Sequence, residues 1–347
     1  MYRMTDPYAL IDAMAFNIID EHRKKRPKEY AGYSGEGNEH CINDTKYHLS
    51  FLFDAASIES PQLFINYVAW AKVLMEHLGI SDIIFREVLE HMWGECRKRL
   101  DGPFAMTVDG IMETTLDQYS DMPLSIPGFL DENERTGSLA KRYLELILSG
   151  KRREAQDLIR KGLEEGMDIH DMYLKVFQLS QYEIGRLWQH RKVSVAQEHM
   201  TTMVTQQILA QLYPQMLGSS TRKGSLVVTS VGNELHEMGA RMVADFLELD
   251  GWDVNYLGSN TPHKDVIFIT KDRQAKALLI SATMGFNIKH VRDLISLVRA
   301  EPALEGLKVM VGGYPFNTVD GLWKKVGADS FARDADEAVN KMNEILE

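Results

Sequence analysis

The chain has 347 residues, of which 44% are hydrophobic and 26% are charged, and its formal net charge is −11. This length allows two or three domains, and the acidic balance disfavours non-specific binding to nucleic acid or to an anionic membrane. Two distant cysteines, no signal-like N-terminus and no apolar run long enough to span a bilayer predict a cytoplasmic protein without a disulfide framework.

The first 120 residues are predicted to be mostly helical. Apolar residues recur at helical spacing from Tyr8 to Ile19, and a second amphipathic segment covers residues 44–58. Ser60-Pro61 starts a helix that Gly79 can end, because proline suits the first helical position and glycine suits the end. Two further helices are expected at 81–100 and 105–119, and breakers and charges indicate a linker over 121–137.

Residues 138–217 are predicted to form a small four-helix bundle. Glycines and a short polar stretch separate the four helical segments, which are expected at 138–148, 151–165, 169–189 and 195–217. Ser194 and Gln197 have the spacing of a capping box, so Ser194 is expected to cap the last helix. Short turns between such helices favour an antiparallel bundle.

The last third of the chain alternates β-rich runs with helical segments. Five short strands are expected, at 226–230, 254–257, 277–280, 309–311 and near 329–331. This alternation is typical of a doubly wound α/β domain with a parallel sheet. In the flavodoxin-like strand order 2-1-3-4-5, ligands bind beyond the carboxyl ends of strands one and three.

Three sequence features converge on that edge of the sheet. The loop that carries Glu234 and His236 follows strand one, Ser281 ends strand three, and Gly312-Gly313 ends strand four. Imidazole is a good ligand for cobalt, and Glu234 is placed to hold the second ring nitrogen of His236. Glycines let the backbone approach a ligand closely.

These residues resemble, in chemistry and spacing, the DxHxxG…SxL…GG signature of cobalamin-binding domains. Residues 138–347 look like the helical-bundle-plus-Rossmann module of methionine synthase, corrinoid methyl carriers and CarH-type photoreceptors. The resemblance implies that His236 is the lower cobalt ligand and that the nucleotide tail lies towards Ser281 and Gly312. The sequence departs from the signature in carrying Glu234 for Asp and Thr283 for Leu.

A second motif lies in the bundle. Trp188 is followed at the appropriate distance by Glu198-His199, which resembles the Trp-x9-Glu-His motif of CarH-type adenosylcobalamin sensors. In that family the Trp packs beside the adenosyl group. CarH-type proteins carry a His directly after the Trp, whereas this chain has Gln189 there and His190 one residue later, so the cobalt ligand after photolysis stays open.

The N-terminal region resembles the photoglobin domain of photocobilins, a globin-like domain that binds biliverdin. The resemblance rests on residues 44–49 and 61–70. The N-terminal region does not resemble the DNA-binding helix-turn-helix of CarH-type repressors. A bilin needs aromatic faces and polar partners for its propionates and pyrroles. His48 could equally be a core or interface histidine, and Trp70 a plain core residue.

The predicted fold class is multidomain α plus α/β. The expected parts are a globin-like helical domain (1–120), a linker (121–137), a four-helix bundle cap (138–220) and a flavodoxin-like, Rossmann-like parallel-sheet cobalamin domain (221–347). Besides His236, the residues predicted to bind cobalamin are Glu234, Leu235, Glu237, Met238, Gly239, Leu257, Gly258, Ser281, Thr283, Gly312, Gly313, Tyr314, Trp188, Val193, Glu198 and His199. The residues predicted for the bilin are Tyr47, His48, Tyr67, Trp70 and Arg86.

The resemblance therefore predicts a light sensor and not an enzyme. Adenosylcobalamin would be the main chromophore, with biliverdin as the second, and the signal would be a change of shape or self-association. A homodimer and an unknown downstream protein are the expected partners, with no direct nucleic acid and no membrane. The alternative function is a corrinoid methyl carrier of a methyltransferase system.

Overall fold

The computed structural model describes residues 6–31, 35–216 and 223–346, with the side chains of 35, 36, 38 and 216 left out. The chain divides into two compact units, Met1–Leu124 and Ser125–Glu347. The predicted boundary between bundle and sheet domain, at 220 and 221, lies outside the described residues. Among the residues that are described, no helix is both long and apolar enough to cross a bilayer.

The N-terminal unit is helical. Its α-helices are α1 (Ile11–Lys25), α2 (Gly35–Ser57), α3 (Pro61–His77), α4 (Asp82–Arg99) and α5 (Gly102–Gln118). Helix α2 begins nine residues before the predicted segment, which starts at residue 44, and its first turns contain glycines, which are unfavourable in helices. The helical prediction for this region is confirmed, and its globin-like arrangement stays a prediction.

A buried lysine joins the elements of the N-terminal unit. Lys72 is 3% exposed, and its ammonium group donates hydrogen bonds to the carbonyl oxygens of Tyr119 (2.8 Å) and Met122 (3.0 Å). The carboxylate of Asp82 lies 3.3 Å from the same nitrogen. A buried charge is tolerated only when it is paired and hydrogen-bonded in this way, so Lys72 fixes the end of the unit to α3.

The helical bundle opens the second unit. Its segments are α6 (Arg135–Leu148), α7 (Arg152–Glu164), α8 (Ile169–Asp171), a π-helix (Met172–Gln178), α9 (Leu179–Gln189) and α10 (Val195–Met216). The single helix predicted over 169–189 therefore contains a π-helical stretch. The predicted capping box is present, since Gln197 N donates to Ser194 Oγ (3.3 Å) and Ser194 N donates to Gln197 Oε1 (3.0 Å).

The segment predicted as a linker is in part tied to the bundle. Helix α6 starts at Arg135, inside the predicted linker, and Gly137 lies so close to the preceding loop that a Cβ there would sit 1.8 Å from Asp131 O. Phe129 N donates a hydrogen bond to Glu183 Oε2 at 3.1 Å. Although its composition is polar, the segment is therefore hydrogen-bonded to α9 and is not a free linker at Phe129.

The rest of the second unit is a parallel sheet covered by helices. The strands are β1 (Ser225–Ser230), β2 (Asp253–Tyr256), β3 (Ala277–Ser281), β4 (Lys308–Gly312) and β5 (Ser330–Ala332). The helices that alternate with them are α11 (Met238–Leu249), α12 (His263–Asp272), α13 (Ile288–Ala300), α14 (Tyr314–Thr318), α15 (Leu322–Lys325) and α16 (Ala335–Leu346). The predicted order 2-1-3-4-5 is confirmed, and all neighbouring strands are parallel.

The bundle and the sheet domain share one hydrophobic core. Bundle residues such as Tyr173 and Phe177 cluster with Met242 and Phe246 of α11. A buried hydrogen bond from Tyr173 Oη to Asp245 Oδ2 (3.1 Å) crosses the same interface. This contact places the bundle beside the helix that follows the His236 loop.

Candidate functional site

Three strand ends lie side by side at the carboxyl edge of the sheet. Ser230 at the end of β1 pairs in register with Ser281 at the end of β3, which pairs with Gly312 at the end of β4. The loop that carries His236 leaves directly from Ser230, whose hydroxyl donates to His236 O at 3.1 Å. The sequence features predicted to converge are therefore neighbours.

His236 presents one ring nitrogen to the solvent and buries the other in a hydrogen bond. Its Nδ1 lies 2.6 Å from Glu234 Oε1, and 59% of the side chain is exposed. The hydrogen bond to Glu234 raises the pKa of His236; burial opposes the rise, and the charges of Glu234 and Glu198 add to it. With Nδ1 carrying the proton, Nε2 has a free lone pair for a metal.

Glu234 is a buried carboxylate that is surrounded by donors. It is 1% exposed, and its Oε2 accepts from Thr283 N (2.8 Å), Met284 N (2.9 Å) and the side-chain amide of Asn287 (3.0 Å). Burial alone would raise the pKa of Glu234, but the hydrogen bonds from His236, Met284 N and Asn287 outweigh it and lower the pKa to about 2. The carboxylate is therefore ionised and fixed in one orientation.

Asn287 belongs to this site although the sequence did not single it out. It occupies the position before α13, where asparagine usually caps its own helix, yet it makes no such cap. Its side chain is fully buried, its Nδ2 donates to Glu234, and its Oδ1 has no partner in the described structure. The signal available in the sequence, an Asn before an apolar helix, predicts a cap and not a carboxylate donor.

Two glycines at the site have backbone conformations that other residues rarely adopt. Gly313 has φ 106°, and a Cβ on it would lie 2.0 Å from Ala282 O. Gly258 has φ 74°, and its carbonyl accepts from Ser230 N at 2.9 Å. Glycine is therefore required at position 313 for the β4 loop to lie against the β3 loop.

The bundle faces the same cleft. The carboxylate of Glu198, in the first turn of α10, is near enough to His236 to raise its pKa. Thr202 Oγ1 donates to Glu198 Oε1 at 2.9 Å, and Gln206 Nε2, one turn later, donates to Glu237 Oε1 of the His236 loop at 2.9 Å. Helix α10 thus lines the cleft with polar side chains.

The other residues predicted for cobalamin differ in exposure. Leu235 (74%) and Tyr314 (57%) are the exposed apolar side chains of the set, and Val193 is buried. His199 is exposed and bonds to Glu198. The remaining ones are exposed or half-buried around the strand ends or at the end of α9, namely Trp188, Met238, Gly239 and Leu257.

The residues predicted for a bilin are only partly brought together. His48 Nδ1 lies 2.6 Å from Tyr67 Oη, and the ring of Tyr67 stacks near that of Trp70. Tyr47, by contrast, is 61% exposed, because it lies on a different face of α2 from the buried His48. Arg86 pairs with Glu90 at 3.0 Å and lies over Tyr119.

The residues at the sheet edge fit a cobalt corrinoid. An imidazole with a carboxylate on its second nitrogen is a suitable ligand set for a borderline metal. Exposed Leu235 and Tyr314 offer apolar surface that a bulky planar group would cover, and the buried Asn287 Oδ1 offers an acceptor without a protein partner. The chain is thus a cobalamin-binding protein in which a helical bundle accompanies a Rossmann-like domain.

Comparison with known proteins identifies the family. The B12 binding domain matches residues 224–341, and a second family model with the same description matches residues 139–213. Dimethylamine corrinoid protein 1 of Methanosarcina acetivorans is 31% identical over 199 residues, which cover 56% of this chain and 84% of that protein. Dimethylamine corrinoid protein 3 of the same organism is 32% identical over 197 residues, covering 55% of this chain and 83% of that protein.

A solved structure agrees in fold. The monomethylamine corrinoid protein of Methanosarcina barkeri aligns with a TM-score of 0.55 and 21% identity, covering 60% of this chain and 98% of that chain. The chain therefore belongs to the family of corrinoid proteins. Membership of this family confirms the prediction that it binds cobalamin and is not itself an enzyme.

The prediction of a light sensor is wrong. The matched relatives are named dimethylamine and monomethylamine corrinoid proteins, and they support the alternative prediction of a corrinoid methyl carrier. Trp188 with Glu198 and His199 therefore does not identify a photoreceptor, although the motif resembles that of CarH-type sensors. The photoglobin resemblance, the adenosyl form and biliverdin have no support from these relatives.

Proposed function

We propose that this chain is a corrinoid methyl carrier that exchanges methyl groups with a methyltransferase partner. The observation that carries the proposal is the exposed imidazole of His236, whose Nδ1 is held by Glu234 at the switch point of the sheet, in a chain that matches dimethylamine corrinoid proteins. When bound, a corrinoid supplies a cobalt that can accept and release a methyl group. The chain binds and orients it.

The lower side of the cleft, formed by the His236 loop and the β3 loop, holds the cobalt ligand His236 in place. Glu234 holds the proton on Nδ1 of His236, so that Nε2 keeps its lone pair towards the cleft. The donors on the β3 loop keep Glu234 ionised, so the proton stays on Nδ1 of His236 and Nε2 would be available to hold the cobalt. His236, Glu234 and Asn287 thus act as one rigid support.

The upper side of the cleft, formed by the first turns of α10, gives methyl donors and acceptors access to the cofactor. Glu198 and Thr202 bond to each other, and His199 is largely exposed at the start of α10. These polar side chains leave an opening that hydrated groups can enter, as a methyl acceptor or donor must. We propose that the methyltransferase approaches from this side.

Methyl transfer can be tested directly. The full-length protein is loaded with cobalamin carrying a ¹³C-methyl group and mixed with a thiol acceptor and a corrinoid-dependent methyltransferase. We expect the label to move to the thiol, and His236→Ala to slow this transfer, with His77→Ala as a control outside the matched region. A methyl group that stays on the protein with every acceptor, while adenosylcobalamin displaces methylcobalamin, contradicts the proposal.

The ligand of the N-terminal unit and the partners of the chain are separate proposals. Biliverdin binding by a globin-like domain predicts that added biliverdin gives a red-absorbing complex, which His48→Ala should shift or abolish. A homodimer, an unknown protein partner and the absence of a nucleic acid or membrane partner stay predictions. Size-exclusion chromatography with light scattering tests the dimer.

A further inference from the structure

A pair of histidines lies outside the cleft just described. His263 is the first residue of α12, and His290 lies in the first turn of α13. Their rings are 6.3 Å apart between centroids and inclined by 64°. Both side chains are half-buried, so water and small ions can reach them.

The Nε2 atoms of the two rings lie beside adjacent residues of the β1 loop. His290 Nε2 lies 3.1 Å from the side-chain amide nitrogen of Asn233. His263 Nε2 would be 3.7 Å from a Cβ built on Gly232, and Thr261 O would be 3.8 Å from the same point. The two ring nitrogens therefore lie beside the neighbouring residues Gly232 and Asn233, where the absence of a side chain on Gly232 leaves room.

The loop at this point is held in an unusual conformation. Asn233 has φ 68° and Asn260 has φ 53°, a region that asparagine tolerates better than most residues. Asn233 N donates to Asn260 Oδ1 at 2.9 Å, and Asn260 N donates to Glu234 O at 3.1 Å. The Asn233 side chain is thereby positioned towards His290.

The electrostatics favour neutral imidazoles. Burial and the neighbouring His290 lower the pKa of His263, which Asp293 partly opposes. Burial likewise lowers the pKa of His290, with Asp293 opposing and Lys289 adding to the effect. Neutral imidazoles keep their lone pairs, and imidazole suits zinc, nickel and copper.

We propose that His263 and His290 form a site for a divalent transition-metal ion such as Zn²⁺ or Ni²⁺, separate from the corrinoid. Among the described residues no three His, Cys, Asp or Glu side chains form a metal centre by themselves. The remaining ligands are therefore water and the side chain of Asn233, whose amide must turn its oxygen towards His290 in place of the NH₂ group that faces it now. A tetrahedral ion with bonds of about 2 Å holds two imidazole centroids roughly 5 Å apart. Side-chain rotation that brings the rings together by about 1 Å meets this requirement.

The test uses the full-length chain loaded with cobalamin, so that His236 is occupied, then dialysed against a chelator and titrated with Zn²⁺ by calorimetry. We expect one ion per chain, and a loss of affinity of about tenfold or more in His263→Ala and in His290→Ala. His77→Ala is the control and must keep the binding, because that residue lies in the N-terminal unit. Unchanged melting temperatures show that the variants are folded.

A gain of affinity gives an independent check. Asn233→Asp places a carboxylate where the amide lies, and it should tighten Zn²⁺ binding by about tenfold. Wild-type protein that binds no Zn²⁺ overturns the proposal. So does binding that survives in the His263→Ala/His290→Ala double variant, or an Asn233→Asp variant with unchanged affinity.

Discussion

Replacing Glu234 with glutamine is the sharpest test of the support beneath the cofactor. Glutamine has the same shape, but one of its two terminal groups is a donor. Three donors face Oε2, so the amide oxygen should remain there and the NH₂ group should turn to His236. Nδ1 of His236 must then accept, which moves the proton to Nε2 and removes the lone pair that cobalt needs.

The loss of stability expected for Glu234→Gln can be estimated from the pKa of the carboxylate. Lowering its pKa from 4.5 to about 2 corresponds to about 3 kcal/mol in favour of the ionised, folded state. Counting hydrogen bonds leads to the same figure: His236 N would face a donor, and a lost bond to a charged group costs about 1.5–3 kcal/mol. We therefore expect Glu234→Gln to lower the free energy of unfolding by about 3 kcal/mol.

Two measurements separate stability from ligation. Urea unfolding of the cofactor-free chain reports the loss of stability, and electron paramagnetic resonance of the Co(II) form, in protein made with ¹⁵N-histidine, reports the axial nitrogen. Glu237→Gln is the matched control, since that carboxylate bonds to Gln206 and not to His236. Wild-type histidine coupling in Glu234→Gln would refute the reasoning about the tautomer.

Two further predictions concern a glycine and a buried histidine. Gly313→Ala should lower the free energy of unfolding by several kcal/mol or prevent folding, because its Cβ would collide with Ala282 O. Gly239→Ala, which has open space around it, is the control and should be neutral or stabilising. Thermal melts measure both. Burial lowers the pKa of His48 to about 4, so the stability of the N-terminal unit should be full above pH 6.5 and fall by about 3 kcal/mol as the pH drops to 4. Hydrogen exchange of the segment around Tyr67 at several pH values measures this slope; His48→Gln should flatten it, and equal slopes in both proteins would contradict it.

The sheet could be predicted from the sequence because its signals are local. Short apolar strands such as Leu278-Leu279-Ile280 alternate with helices, and that alternation allows few topologies. The hydrogen bond from His236 to Glu234 was also predictable, since two residues of spacing in one loop bring the groups together. Asn287 was not, because its role depends on β3 and β1 being neighbours.

Several features of the helical regions could not be predicted from the sequence. Gly35 and Gly37 disfavour a helix by propensity, yet they are part of α2, because propensity is only a weak preference. The π-helix at Met172–Gln178 likewise has no mark in the apolar pattern, since one extra residue in a turn changes hydrogen bonds and leaves composition unchanged. Function was harder still, because Trp188 and Glu198-His199 fit both a sensor and a carrier.

The two sides of the cleft differ in a way that supports methyl carriage. Below, Glu234 ties the His236 loop to the β3 loop through donors on Thr283, Met284 and Asn287, so His236 cannot shift unless both loops move. The longer glutamate, in place of the aspartate of the signature, reaches across to that second loop. Above, Gln206 of α10 donates to Glu237 of the loop. A carrier needs a lower ligand that stays in place and an upper side that partners can reach, and this chain combines a fixed support with a polar, accessible side.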